Sequence, residues 1–194
     1  MMAQIQQEDR LNLGAKKFNM WIFIFTSFMF FAALSSGFIV YSGGKGHGLN
    51  VIMPQAFLYS TFVIMLSSVT LFIASKSAKQ LKFEKQRLFL WLTFFLGVAF
   101  FAIQIYACYV LTYKMGIYFS NDPNASHTFI YVFCGMHLIH VIAALLLLLS
   151  TVKGTYRNLP QVMNLYKMEM TSIFWHFLDI IWIYLYVFLL LNQY

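Results

Sequence analysis

The residues best equipped for chemistry stand near the end of the chain, in Phe174-Trp175-His176-Phe177-Leu178-Asp179-Ile180-Ile181-Trp182, a run otherwise built of aromatic and aliphatic side chains. An ionised carboxylate at bilayer depth is costly unless it faces protein or a partner, so Asp179 must look inward or at a neighbouring subunit. His176, three residues earlier, shares its helical face. A second set lies in Cys134-Gly135-Met136-His137-Leu138-Ile139-His140-Val141. There His137 and His140 again stand three apart on one face, and Gly135 would let another backbone come close.

Three kinds of chemistry suit such a set. Imidazoles and a carboxylate ligate zinc or non-haem iron, but a further carboxylate and a clear ligand count are missing. His137 and His176 on facing helices could be axial ligands of a haem, with no other support from the aromatic-heavy spans. A free-standing membrane haem or metal protein would use His137, His140 and His176. The third reading, favoured here, is a satisfied polar core that locks two helices together and extends toward a partner subunit.

The elements that must position these residues are membrane spans. Of 194 residues, 61% are hydrophobic and only 10% charged, against about 25% charged in ordinary soluble domains. With a mean hydropathy of +0.71, the chain reads as an all-α integral membrane protein. Apolar runs predict five transmembrane helices over about 18–41, 53–74, 88–113, 127–152 and 171–191, each long enough to cross the hydrocarbon core. Residues 1–17 read as a polar tail and 18–194 as a single five-helix domain. The first apolar run is too long for a signal peptide and lacks a small-residue cleavage site, so it is expected to stay. Pro54 falls in the first turn of the second span, Gly43 to Gly48 form a glycine-rich loop, and Ser120-Asn121-Asp122-Pro123-Asn124 is a turn by composition. Cys108 and Cys134 both lie within spans, as small buried hydrophobes.

The formal net charge of +7 follows topology and not nucleic-acid binding. Eleven of the thirteen Lys and Arg fall in the tail, the loop between spans two and three and the loop between four and five, leaving Lys45 and Lys114 on the other side. Basic flanks stay preferentially in the cytoplasm, which predicts a cytoplasmic N-terminus and a C-terminus outside. At about 1.5 Å per residue, His140 lies roughly 18–20 Å from the outer end of its helix and Asp179 about 12 Å from the inner end of the next. In a core about 30 Å thick these levels nearly coincide, so the two side chains could pair.

The stretch from Trp175 to Trp182 resembles the closing signature of subunit III of haem-copper oxidases, and Gly135 to Val141 is similar to the Gly-x-His-x-x-His-Val motif of that family's penultimate helix. Ser67-Ser68-Val69-Thr70, Leu96-Gly97, Gln104 and Trp21 fall in the expected order. The resemblance runs from about Lys16 to the end and fits the short, five-helix form, which lacks the first two helices of the long one. Two family carboxylates are absent: Ser27 is followed by Phe28, and Gln104-Ile105-Tyr106 by Ala107. What remains at matching positions is His137, His140, His176 and Asp179.

The resemblance implies an accessory, noncatalytic subunit of an aerobic terminal oxidase of the bacterial inner membrane. Haem and copper then reside in subunits I and II, where electrons from cytochrome c or quinol reduce oxygen to water and protons are pumped, and this chain carries no cofactor of its own. It is expected to pack against subunit I, hold phospholipid in a cleft, support proton uptake and prolong the life of the complex, with a larger respiratory assembly as a further partner. Lys16, Lys17, Arg87 and Arg157 are candidates for lipid phosphates. A short subunit III of a quinol oxidase or a nitric-oxide reductase is the neighbouring alternative to a cytochrome c oxidase.

Overall fold

The computed structural model of the protein describes residues 2–45, 53–114, 116, 126–156 and 160–192. They form α1 (Met2–Lys45), α2 (Gln55–Lys79), α3 (Phe83–Tyr109) with a π-helical turn at Val110–Lys114, α4 (Ser126–Tyr156) and α5 (Gln161–Leu191). All five helices are long and apolar enough to cross a membrane. Arg157 and most of the 114–126 loop lie outside the described residues.

Helix ends differ from the hydropathy limits in an instructive way. α1 runs through the polar tail from Met2 and through Gly43 to Lys45, and α5 starts at Gln161 instead of 171. Apolarity marks where lipid begins, whereas Gln, Glu, Lys, Arg and Met continue a helix readily beyond it. Proline marks where α2 and α5 begin. Pro54 and Pro160 occupy N-cap positions, with ψ of 139° and 140°, so Pro54 precedes α2 and does not sit in its first turn. The Pro54 carbonyl accepts from the backbone N–H of Phe57, and that of Pro160 from Met163 and Asn164.

The basic 76–87 segment is not an open loop but a tight turn between two helix ends. The Lys82 N–H donates to the Ser77 carbonyl and the Leu81 N–H to that of Ala78, with Leu81 at φ 59°. This is the paired hydrogen bonding that closes a helix through one left-handed residue, a place usually taken by glycine.

The turn lays α2 and α3 side by side. α3 then packs on α4, α4 on α5 and α5 back on α2, closing a four-helix ring, while α1 leans from outside on α4 and α5. Phe57, Leu71, Leu90, Phe100, Leu148 and Trp182 fill the interior, and Phe31 and Phe38 seal α1 against it. Outward positions are equally apolar, among them Phe25, Phe62, Phe95 and Leu146. With lipid as apolar as the core, helix association depends on close packing and interhelical hydrogen bonds. Gly97 supplies the closest packing, since a Cβ there would lie 2.6 Å from Trp175 Cη2 and 2.9 Å from Leu145 Cδ2. Gly135 plays no such part within the chain, where a Cβ would meet nothing within 4 Å.

Candidate functional site

Polar side chains inside the ring are organised by α2, which presents hydroxyls one and two turns apart. Trp182 Nε1–H donates to Thr61 Oγ1 at 3.1 Å and Trp175 Nε1–H to Ser67 Oγ at 3.0 Å. Gln104 Nε2–H donates to Ser60 Oγ at 2.9 Å, and Thr70 and Thr93 share a bond of 2.8 Å. Four of these hydroxyls, on Ser60, Thr61, Ser67 and Thr70, also donate to carbonyls three or four residues back in their own helix. A serine or threonine in lipid thus serves two helices with one oxygen. The register that brings two tryptophans of α5 onto α2 sets where His176 and Asp179 lie.

His176 Nδ1 and Ser68 Oγ share a hydrogen bond of 2.7 Å, and Asp179 Oδ2 stands 3.7 Å from the same nitrogen. That separation is an ion-pair contact and not a hydrogen bond. Asp179 is buried, and neither carboxylate oxygen has a hydrogen-bond partner among the described residues. Beside it remains a cavity of about 10 Å³ lined by Ile64, Gly97, Phe100, Val141 and Leu178.

The α4 histidines sit elsewhere. His137 is fully enclosed, its ring centroid 5.1 Å from Trp182, 5.9 Å from Phe100 and 6.5 Å from Phe31. Neither of its nitrogens has a hydrogen-bond partner among the described residues. His140 Nδ1 lies 2.8 Å from the Met136 carbonyl, and its ring packs on Phe23 and Phe31 of α1. Asp179 and His140 share a level but not a direction: one faces the ring interior beside Gly97 and Phe100, the other faces α1. The structure brings together His176 with Asp179, and His137 with His140 around Phe31, as two separate groups. Among the described residues no three His, Cys, Asp or Glu side chains are placed to hold one metal ion.

At the basic end, three of the lipid candidates can be placed. Lys17 Nζ pairs with Glu169 Oε2 at 2.6 Å. Arg87 Nη2–H donates to the Thr155 carbonyl at 2.9 Å, near the end of α4, with its guanidinium over the Tyr156 ring and Nη1 3.4 Å from Glu84. Lys16 is exposed. A buried reciprocal pair, Gln86 and Asn164, each donating to the other at 3.2 Å, ties α3 to α5 nearby. This pair and the Ser60 and Thr61 hydroxyls escape a reading that searches for titratable groups. The available signal was their polarity within otherwise apolar helical faces.

Residues 8–193 match the family described as Cytochrome c oxidase subunit III. Cytochrome bo(3) ubiquinol oxidase subunit 3 of Buchnera aphidicola subsp. Acyrthosiphon pisum is 27% identical over 190 residues, covering 95% of this chain and 90% of that protein. The protein of the same name from Pseudomonas aeruginosa is 30% identical over 175 residues, 88% and 81% of the two. Cytochrome c oxidase subunit 3 of Bacillus subtilis is 28% identical over 180 residues, 89% and 84%. Five spans and such bacterial relatives make this a multi-pass protein of a bacterial inner membrane. With the family match running through all five helices and both histidine motifs, the chain belongs to the subunit III family of the haem-copper oxidases, as one component of a multi-subunit oxidase.

Proposed function

We propose that the chain is the accessory, noncatalytic subunit III of a cytochrome c oxidase, oriented with its N-terminus in the cytoplasm. It packs against subunit I, and by holding lipid and stabilising its neighbour it supports proton uptake and prolongs activity. Haem and copper belong to the partner subunits. The observation that carries the reading is how the intramembrane polar groups are used: Trp175, Trp182, Gln104 and His176 bond to hydroxyls of α2, so they join helices. For lipid phosphate, exposed Lys16 is the strongest candidate, because Lys17 and Arg87 have partners within the chain. A quinol-fed oxidase is the second reading, favoured by the relatives named as ubiquinol oxidase subunits.

The test is gentle purification through an N-terminal tag, followed by a reduced-minus-oxidised spectrum and assays with reduced cytochrome c and with a quinol. Haem and copper that stay with a large co-purifying subunit, and vanish when this chain is stripped away alone, are expected. Oxidation of cytochrome c selects the first reading, and of quinol the second. A haem or metal retained by the stripped chain would overturn both and make His137, His140 and His176 ligands.

A further inference from the structure

We infer that the exterior seam between α2 and α5 is the face covered by a transmembrane helix of another oxidase subunit, and that this helix forms a hydrogen bond with Nε2 of His176. The inference rests on the chain's assembly into an oxidase and adds which of its faces is covered.

The seam carries a file of polar side chains. On α2 they are Ser68, Ser75 and Lys79, spaced seven and four; on α5 they are Glu169, Ser172 and His176, spaced three and four, of which Glu169 is already paired with Lys17 of α1. Each spacing keeps its members on one helical face. Toward the basic end the seam opens into an exterior groove of about 400 Å³ lined by Ser75, Lys79, Leu165, Met168, Glu169, Ser172 and Ile173. Ser75 and Ser172 make no side-chain hydrogen bond to a described residue, unlike the interior hydroxyls of α2. Outward positions along the middle of α4 are Ile139, Ile142 and Leu146, and on α3 Leu88, Leu92, Phe95 and Val98; toward the basic end α4 too carries exposed Ser150 and Lys153, which line a groove of about 660 Å³. Polar side chains near the basic end are thus common to both faces, and what sets the seam apart is Ser68 and His176 midway along it.

His176 fixes both the depth and the chemistry of the contact. Its side chain is 33% exposed although it stands midway along α5. Its Nδ1 is occupied by Ser68 and faces Asp179. Nε2 on the far side of the ring has no partner among the described residues and takes part in a hydrogen bond as donor or acceptor according to the tautomer that Ser68 and Asp179 hold. Hydrocarbon offers neither donor nor acceptor, and a polar group facing lipid at this depth is costly. A lipid headgroup does not reach it: Ser68, its partner on α2, lies roughly 16 Å along the helix from Lys79. A neighbouring helix with a hydroxyl or amide side chain at mid-bilayer, able to donate or accept, meets the requirement. Exposed Phe72 and Ile180 flank the file and provide its packing surface.

The experiment places the photo-crosslinking residue benzoylphenylalanine at Phe72 or Ile180, and at the equally exposed Ile139 or Leu146 of α4 as controls, in the full complex in its native membrane. Seam positions are expected to crosslink to an oxidase polypeptide identified by mass, and α4 positions to lipid. With His176→Leu the seam crosslink should fall several-fold, and His176→Gln, whose amide can donate or accept, should restore much of it. Lipid adducts alone at the seam, or polypeptide adducts from α4 instead, would overturn the inference while leaving the chain an oxidase subunit. Failure of any oxidase polypeptide to co-purify would instead sink the assignment itself.

Discussion

The two histidine pairs make a natural comparison, because both have three-residue spacing and similar depth but meet different surroundings. The α5 pair is anchored across a helix boundary: Ser68 holds His176, Asp179 lies beside it, and the preceding Trp175 is fixed to Ser67. The α4 pair is walled by aromatic rings, and His137 makes no hydrogen bond among the described residues. An orphaned buried polar group costs about 1–3 kcal/mol, whereas a satisfied one gains about 0.5–1.5 kcal/mol. Each pair has one bonded and one orphaned member, since neither Asp179 carboxylate oxygen has a hydrogen-bond partner among the described residues. The difference is that His176 bonds across to α2, whereas His140 bonds within its own helix. Azimuth in the bundle, not residue type, decides between them.

The comparison breaks most readily at Gly97. A methyl there overlaps the rigid edge of Trp175 and the tip of Leu145. Leu145 can rotate away and an indole wedged between helices cannot, so Gly97→Ala should lower stability by about 1–3 kcal/mol through overpacking. Better helix propensity returns up to about 1 kcal/mol of that. A lowered thermal unfolding midpoint in detergent is the expected reading. An unchanged midpoint would mean that Trp175 shifts freely and does not anchor the α5 pair.

A pair of smaller substitutions sharpens the contrast. Ser67→Ala strands the Trp175 indole N–H in the interior and should cost about 1–3 kcal/mol. His137→Leu removes an imidazole whose nitrogens bond to nothing described, at nearly constant volume, and should change stability by less than about 1.5 kcal/mol. Comparable losses from both, measured by the same unfolding midpoint, would contradict the contrast between the bonds that tie α5 to α2 and the packing that holds His137.

Much of this arrangement was legible from residue order. Five apolar runs and the level shared by His140 and Asp179 follow from rise per residue and from spacing, and the two family motifs from their resemblance to subunit III. Direction around each helix does not, because it depends on which neighbours pack where. Thus His140 faces Phe23 and Phe31, and Asp179 faces the ring interior. Gly135 was expected to admit a neighbouring backbone, yet it is Gly97 that makes the close approach. The tail and the start of α5 look polar but remain helical, because hydropathy reports the solvent around a helix and not its hydrogen bonding. The α2 hydroxyls were visible as residues but not as partners, since each partner lies more than twenty residues away.

The smallest expected effect acts on both pairs' common support, the turn that sets α2 against α3. Leu81 holds φ 59°, a conformation costing a residue with a Cβ about 1–2 kcal/mol. It is exposed, so little burial is lost on replacing it. Leu81→Gly removes that strain but adds about 0.5–1 kcal/mol of backbone entropy in the unfolded chain, leaving a net gain of about 0.5–1 kcal/mol. Leu81→Asn separates the two contributions, because asparagine tolerates the left-handed region without glycine's entropy. Both variants should raise the unfolding midpoint, and Leu81→Ile should lower it, since a β-branched side chain crowds a left-handed backbone further. If all three fell together, the exposed leucine would be contributing through contact at the membrane surface and not through the turn, and the hairpin would no longer explain why α2 keeps its hydroxyls in register with α5.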